Sequence, residues 1–139
     1  MYQVVIDTNV LVAALRSSLG ASYRLLDTLE MGQWQPNISV AVALEYEEVL
    51  KRSTVNPGMS LQDVDDFMDY LLSRANLVPI FFRWRPALRD PDDDRILEVA
   101  VRSKAMVVTF NHRDFEGAEQ FGVHVMSPAE FLAMLGGPG

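Results

Sequence analysis

The chain has 139 residues, of which 49% are hydrophobic, and it carries a formal net charge of −7. This length suits one domain with a single core, and the apolar content excludes a disordered chain. A sequence without cysteine excludes disulfides and thiolate zinc sites, and it fits a reducing compartment. The net negative charge disfavours electrostatic binding of nucleic acid by the protein as a whole. Cations bound to acidic side chains would nevertheless make the local charge positive where they bind.

Strand and helix signals alternate along the whole chain. In chain order the patterns predict a strand at 3–6, helices at 11–16 and 23–31, a strand at 34–38, a helix at 40–52, a turn at 56–58, a helix after Ser60, a strand at 77–81, a helix at 91–103, a strand at 106–109, a short helix at 114–120, a strand at 123–126 and a helix after Ser127. Ser60 with Asp63, and Ser127 with Glu130, have the spacing of capping boxes. The alternation predicts a three-layer α/β/α sandwich with a central parallel sheet of four to five strands.

No internal repeat or long linker divides this pattern. We therefore expect one domain over residues 1–135 and a frayed tail over residues 136–139. The sequence runs from Met1 straight into the first strand, and the longest apolar stretch is interrupted by Asp7 and Asn9. A cytoplasmic protein without a membrane span is the resulting expectation.

Asp7 stands directly after the first apolar strand, and Asn111 follows the strand at 106–109. The carboxyl ends of parallel strands share one edge of the sheet, where ligands of such sheets bind. A carboxylate there is costly to desolvate unless a positive group meets it, and a divalent cation is the usual partner when several acids gather. The alternative, which is compatible, is that Asp7 caps the following helix.

Glu45 lies at the edge of the apolar side of its helix, beside Val42 and Tyr46. A half-buried glutamate needs a cation or a hydrogen-bond donor, and a salt bridge to an arginine is the structural alternative.

The acidic run at 90–94 opens the helix at 91–103, where the helix dipole alone favours negative charge. Asp90 reads as the cap, and Asp92 points outward. Asp93 falls over Leu97 and Ala100 on the side that packs against the sheet, whereas Asp94 is turned about 100° away toward the rim. Asp93 is therefore the predicted pocket residue, with Asp94 as the alternative.

Two other segments carry candidate residues. Asp114 either joins the acidic site or only caps a short helix, and His112 is a candidate base that reads more simply as an exposed loop residue. The segment at 81–85 interleaves aromatics with arginines, which suits a single nucleic-acid strand but also an ordinary loop that covers the core.

Four segments appear in the order typical of PIN domains. They are IDTNVLVAAL around Asp7, SVAVALEYEEVL around Glu45, DPDDDRILEVAVRSKA around Asp93 and VVTFNHRDF with Asp114. Together they resemble the PIN family, specifically the PIN-family toxins of bacterial toxin–antitoxin pairs, and they cover the chain from end to end.

The resemblance implies a ribonuclease that hydrolyses RNA phosphodiesters with Mg²⁺ or Mn²⁺, that binds an antitoxin protein and that forms a homodimer. The implied catalytic carboxylates, which are also metal ligands, are Asp7, Glu45, Asp93 and Asp114, with Asn111 as a further ligand. Supporting or alternative residues are Thr8, Asn9, Asp94 and Thr109, and the candidate RNA contacts are Arg83, Arg85 and Arg113.

One departure from the family pattern concerns the segment after the strand at 106–109. Where the family commonly has Thr-Gly-Asp or Thr-Gly-Asn, this chain has Thr109, Phe110 and Asn111. The missing glycine and the amide leave open one metal ion or two, and also a catalytically weak PIN-fold module that binds RNA or protein. A receiver domain is disfavoured, because no acid ends the strand at 77–81 and the only lysines are Lys51 and Lys104.

Overall fold

The structure is a computed structural model that describes residues 1–17, 19–52, 59–80 and 91–136. The strands in these ranges are β1 (Tyr2–Ile6), β2 (Trp34–Ile38), β3 (Asn76–Leu77), β4 (Met106–Val108) and β5 (Val125–Met126). The α-helices are α1 (Thr8–Arg16), α2 (Ala21–Asp27), α3 (Val40–Arg52), α4 (Leu61–Arg74), α5 (Pro91–Ser103) and α6 (Pro128–Met134). Short 3₁₀ helices lie at Thr28–Met31, His112–Phe115 and Ala118–Phe121.

The five strands form one sheet in the order β3-β2-β1-β4-β5, and every neighbouring pair is parallel. The central strand β1 buries Val4, Val5 and Ile6 almost completely. Consecutive residues of a strand point to opposite faces, so helices must cover both faces of the sheet. The predicted α/β/α sandwich with a parallel sheet is confirmed.

Both predicted capping boxes are present. In each, the serine side chain accepts from the backbone of the third helical residue, and the acid of that residue accepts from the serine backbone. These reciprocal bonds fix the starts of α4 and α6. Asp7 occupies the corresponding position before α1 but makes no capping hydrogen bond with its side chain.

Two predicted elements are wrong in extent. Of the predicted strand at 77–81, residue 81 lies outside the described residues, and among 77–80 only Leu77 belongs to β3. Val78 still donates to the Ile38 carbonyl, but Pro79 has no N–H to continue the ladder. The predicted helix at 114–120 is instead a pair of 3₁₀ helices. Gly117 separates them with a φ of 96°, which an α-helix cannot accommodate.

Several predictions fall outside the described residues: the turn at 56–58, the cap at Asp90, the loop with Arg83 and Arg85, and the tail beyond Gly136. The single-domain boundaries remain a prediction. Among the described helices, none has the length and apolar character needed to cross a bilayer.

A buried amide joins the three strands β1, β2 and β3. Asn37 is fully buried, donates to Gln3 Oε1 at 2.9 Å and accepts from Asn76 Nδ2 at 2.7 Å. The short strand β3 has few backbone hydrogen bonds to β2, so these side-chain hydrogen bonds help to hold it against β2.

We expect Asn37→Ala to lower the free energy of unfolding by about 2–3 kcal/mol, because it removes a buried group together with both of its partners' bonds. Urea denaturation measures this change. Asn76→Ala, which removes one bond at an exposed residue, is the matched control and should cost clearly less. Equal losses in the two variants would show that the buried amide adds nothing beyond its contact with β3.

Candidate active site

The chain changes direction across the sheet between β1 and β4. It builds outward from β1 through β2 to β3 and then returns to the other side of β1. Such a switch point opens a crevice at the carboxyl ends of the two central strands. Asp7 follows β1 there and donates its backbone N–H to the Val108 carbonyl at 2.9 Å. Thr109 and Asn111 follow β4 at the same edge.

Thr109 fixes the carboxylate of Asp7. Both side chains are buried, and Thr109 Oγ1 donates to Asp7 Oδ2 at 2.7 Å. The same Thr109 oxygen accepts from the backbone N–H of Asn111 at 3.0 Å. The hydroxyl therefore links the ends of the two strands, and it stabilises an acid that would be costly to bury alone.

Thr8 connects this edge to α3. Its hydroxyl donates to Glu45 Oε2 at 2.8 Å, across 37 positions of sequence. Thr8 directly follows Asp7, so the bond brings the Glu45 carboxylate into the electrostatic reach of Asp7. Two of the four predicted carboxylates thus meet at the switch point.

Glu45 is strongly affected by its neighbours. Burial has the largest influence on its pKa and raises it, whereas the hydrogen bond from Thr8 lowers it. Asp92, through a hydrogen bond and its negative charge, and Asp7, through its charge, raise the pKa further, so that it reaches about 7. Glu45 therefore holds a proton much of the time at neutral pH. A proton is the response of a crowded acidic site to mutual repulsion, and a bound cation would relieve the same repulsion.

The acids at the start of α5 are arranged differently from the prediction. Asp94 is buried with 7% of its surface exposed, whereas Asp93 is only partly buried, so the expected order of burial is reversed. The rotation of α5 against the sheet decides which of the two side chains is covered, and the sequence pattern of one helix does not contain that rotation.

Asp92 is the residue that sequence reasoning missed. It is exposed, as expected, and pairs with Arg95 at 2.8 Å, yet it also contacts Glu45. Three consecutive acids in one helical turn point in directions about 100° apart, so one of them faces a neighbouring helix whichever way α5 is rotated. The run of three acids was therefore the sequence signal that one of them, here Asp92, would face α3.

The residues after β4 are exposed: Asn111, His112, Arg113 and Asp114. Asp114 lies inside a 3₁₀ helix, and its backbone N–H donates to the Asn111 carbonyl at 3.1 Å. His112 pairs with Glu130 of α6 at 3.4 Å. In the part of the chain that the structure describes, no three acidic or histidine side chains are grouped closely enough to hold a metal ion.

The chemistry of the gathered groups suits a hard cation. Carboxylate, amide and hydroxyl oxygens are the ligands that Mg²⁺ and Mn²⁺ prefer, and the described site offers no thiolate or imidazole pair. Burial and the charges of Asp92 and Asp7 oppose ionisation of Glu45, and a bound cation would favour it. The residues present therefore fit such an ion, with the carboxylates of Asp7 and Glu45 already brought together.

Tyr46 anchors α3 beside the site. It is fully buried, and its hydroxyl donates to the Ile6 carbonyl at the end of β1. Burial, together with the charges of Asp7 and Glu45, raises the pKa of Tyr46 well above its usual range. The phenol stays neutral and keeps donating, so it fixes the helix that carries Glu45.

The chain is similar to known proteins in both sequence and structure. A sequence model described as PIN domain matches residues 3–113. The fold is similar to VapBC2 from Rickettsia felis, solved bound to a DNA fragment from the promoter, with a TM-score of 0.59, 17% identity and coverage of 90% of this chain and 98% of that chain. VapBC-1 from nontypeable Haemophilus influenzae gives a TM-score of 0.58 and 14% identity, with coverage of 91% and 98%.

A PilT N-terminus domain protein from the archaeon Sulfolobus solfataricus is also similar, with a TM-score of 0.58, 16% identity and coverage of 95% and 92%. At these identities the structural likeness shows a shared fold alone. Among curated protein sequences there is no match.

We expect Tyr46→Phe to lower the free energy of unfolding by about 1–2 kcal/mol, because it deletes a buried hydrogen bond to a backbone carbonyl. Denaturant unfolding gives the value. Tyr70→Phe is the control, since the partners of the Tyr70 hydroxyl are the exposed side chains of Glu30, at 3.3 Å, and Arg74, and this change should stay within about 0.5 kcal/mol. A loss in Tyr46→Phe no larger than that of the control would contradict the anchoring role.

The raised pKa of Glu45 predicts a pH dependence of stability. Between about pH 4.5 and about 7, the folded protein binds more protons at Glu45 than the unfolded chain does, so the free energy of unfolding falls as pH rises. Glu45→Gln should flatten this slope in chelator-treated protein, as measured by urea denaturation across the range. The exposed Glu119→Gln should retain the slope, and an unchanged slope in Glu45→Gln would refute the assignment.

Proposed function

Because the chain belongs to the PIN domain family, we propose that it is a divalent-metal-dependent ribonuclease that hydrolyses RNA phosphodiesters. The observation that supports this most directly is that Asp7 and Glu45 are brought together at the switch point by Thr109 and Thr8, where burial and the charges of Asp92 and Asp7 raise the pKa of Glu45 to about 7. Strongly shifted pKa values of this kind cluster at functional sites.

The ion, Mg²⁺ or Mn²⁺, would be held by Asp7 and Glu45 together with Asp93, Asn111 and Asp114. When bound, such an ion activates water and stabilises the charge that develops on a phosphodiester under attack. Thr109 keeps the Asp7 carboxylate oriented, and Thr8 does the same for Glu45. Glu45 would hold the ion as a carboxylate and would have to lose its proton to do so, so cation affinity would rise with pH.

The biological role that we propose is the toxin of a toxin–antitoxin pair in the cytoplasm, acting as a homodimer controlled by an antitoxin protein. The fold similarity to two VapBC proteins supports this role. Arg113 is exposed next to Asn111 and is a candidate contact for the RNA, as are Arg83 and Arg85.

A second candidate is a PIN-fold module that binds RNA or protein without cleaving it. Asn111 in place of an acid favours it, and so does the lack of a three-residue metal group among the described side chains. The two candidates differ in whether Mn²⁺ supports turnover.

We expect Asp7→Asn to reduce Mn²⁺-dependent cleavage of single-stranded RNA by at least about a hundredfold, because it removes a charged ligand. Asparagine can still accept from Thr109, so the fold should survive. Exposed Asp69→Asn on α4 is the control and should keep full activity. Cleavage that is independent of Mn²⁺, or unchanged in Asp7→Asn, would remove the proposal.

Two further variants, Asp93→Asn and Asp94→Asn, can assign the ligand from α5. Mn²⁺ raises the thermal unfolding midpoint of a protein that binds it. If Asp93 is a ligand, Asp93→Asn should lose this increase, while Asp94→Asn should retain it. The reverse result would make the buried Asp94 the ligand.

A further inference from the structure

A groove runs from the acidic site along the interface of α3 and α5. Its volume is about 280 Å³, and Glu45 and Asp92 are among the residues that line it. Leu44 and Val49 provide apolar walls, and Leu44 is 62% exposed. The groove is therefore continuous with the site and open to solvent.

Two arginines from different helices line this groove. Arg52 lies in the last turn of α3 and Arg95 in the second turn of α5. Arg52 follows Glu45 by seven residues, which places it on the same face two turns away, at a distance of about 11 Å along the helix axis. The groove is thus lined by two guanidinium groups at different places along it, beside the acids Glu45, Glu48 and Asp92.

Both arginines pair with exposed acids of their own helices. Arg95 contacts Asp92 at 2.8 Å and Arg52 contacts Glu48 at 3.3 Å, with half or more of each side chain exposed to solvent. Exposed ion pairs of this kind contribute little to stability. A guanidinium can therefore exchange its carboxylate for a phosphate, which it binds with a bidentate fork, at small cost to the fold.

We propose that Arg52 and Arg95 bind backbone phosphates of the RNA on one side of the cleaved bond, so that the α3–α5 groove is the path of the substrate strand. The proposal rests on the nuclease function proposed above and extends it to substrate positioning. A chain with a net charge of −7 needs such local cations to hold a polyanion. The exposed Leu44 gives the ribose or base an apolar surface beside the phosphate track.

The first experiment measures RNA binding without turnover. Fluorescence anisotropy with labelled single-stranded RNA and chelator-treated protein compares wild type with Arg52→Gln and Arg95→Gln. Each variant should bind about tenfold more weakly, and the slope of log affinity against log salt should fall by about 0.7 for each lost phosphate contact. Arg24→Gln, an exposed arginine on α2, changes the net charge equally and should leave the slope unchanged.

A variant that is expected to bind RNA more tightly distinguishes a specific effect on binding from a loss of folding. Glu48→Gln removes the acid that pairs with Arg52 and one negative charge from the groove, so RNA should bind about two- to threefold more tightly. Misfolding cannot produce this gain. Exposed Glu119→Gln is its control. With Mn²⁺ present, the arginine variants should raise KM while kcat changes little, as expected for residues that position the substrate.

The outcomes separate the two proposals. If wild type cleaves RNA with Mn²⁺ but Arg52→Gln and Arg95→Gln bind it like Arg24→Gln, the groove assignment is wrong and the nuclease stands. If no variant or wild-type protein cleaves, yet the arginine variants lose RNA affinity, the nuclease fails and the groove stands as an RNA site. If the arginine variants instead convert a dimer to a monomer in sedimentation, the groove joins two copies of the chain and the RNA path is refuted.

Discussion

Negative charge held at the carboxyl ends of the two central strands is the constraint on which the remaining structure of the site depends. Asp7 is buried there and accepts from the Thr109 hydroxyl at 2.7 Å, and Glu45 is brought toward it by the hydroxyl of Thr8. Each hydroxyl donates one hydrogen bond to a carboxylate. Burial in this position, together with the charges of Asp92 and Asp7, raises the pKa of Glu45 to about 7.

Helix α3 combines the roles that make this arrangement possible. Tyr46 is buried and ties the helix to the end of β1, and the adjacent Glu45 is turned by about 100° toward the edge of the sheet. Leu44, Val49 and Arg52 of the same helix line the groove. A buried anchor, a carboxylate and part of the groove lining thus share one helix.

The comparison with relatives separates fold from chemistry. Solved structures with 14–17% identity retain the fold over nine-tenths or more of this chain, because a buried parallel sheet requires apolar residues at its positions but tolerates many choices among them. The segment Thr109, Phe110 and Asn111 keeps the hydroxyl that orients Asp7 and presents an amide where an acid would add charge.

Local patterns in the sequence determined the order of helices and strands, both capping boxes, and the position of Asp7 and Asn111 after neighbouring parallel strands, because these depend on periodicity and on residues close in the chain. Tertiary structure alone decided which acids meet. Thr8 reaches Glu45 across 37 positions, Asp92 rather than Asp93 acts on Glu45, and Asp94 is the buried acid of α5. A helical wheel gives the direction of a side chain about the axis of its helix. It contains neither the rotation of that helix against its neighbours nor the place where the sheet ends. Those two quantities determine which carboxylates share a pocket.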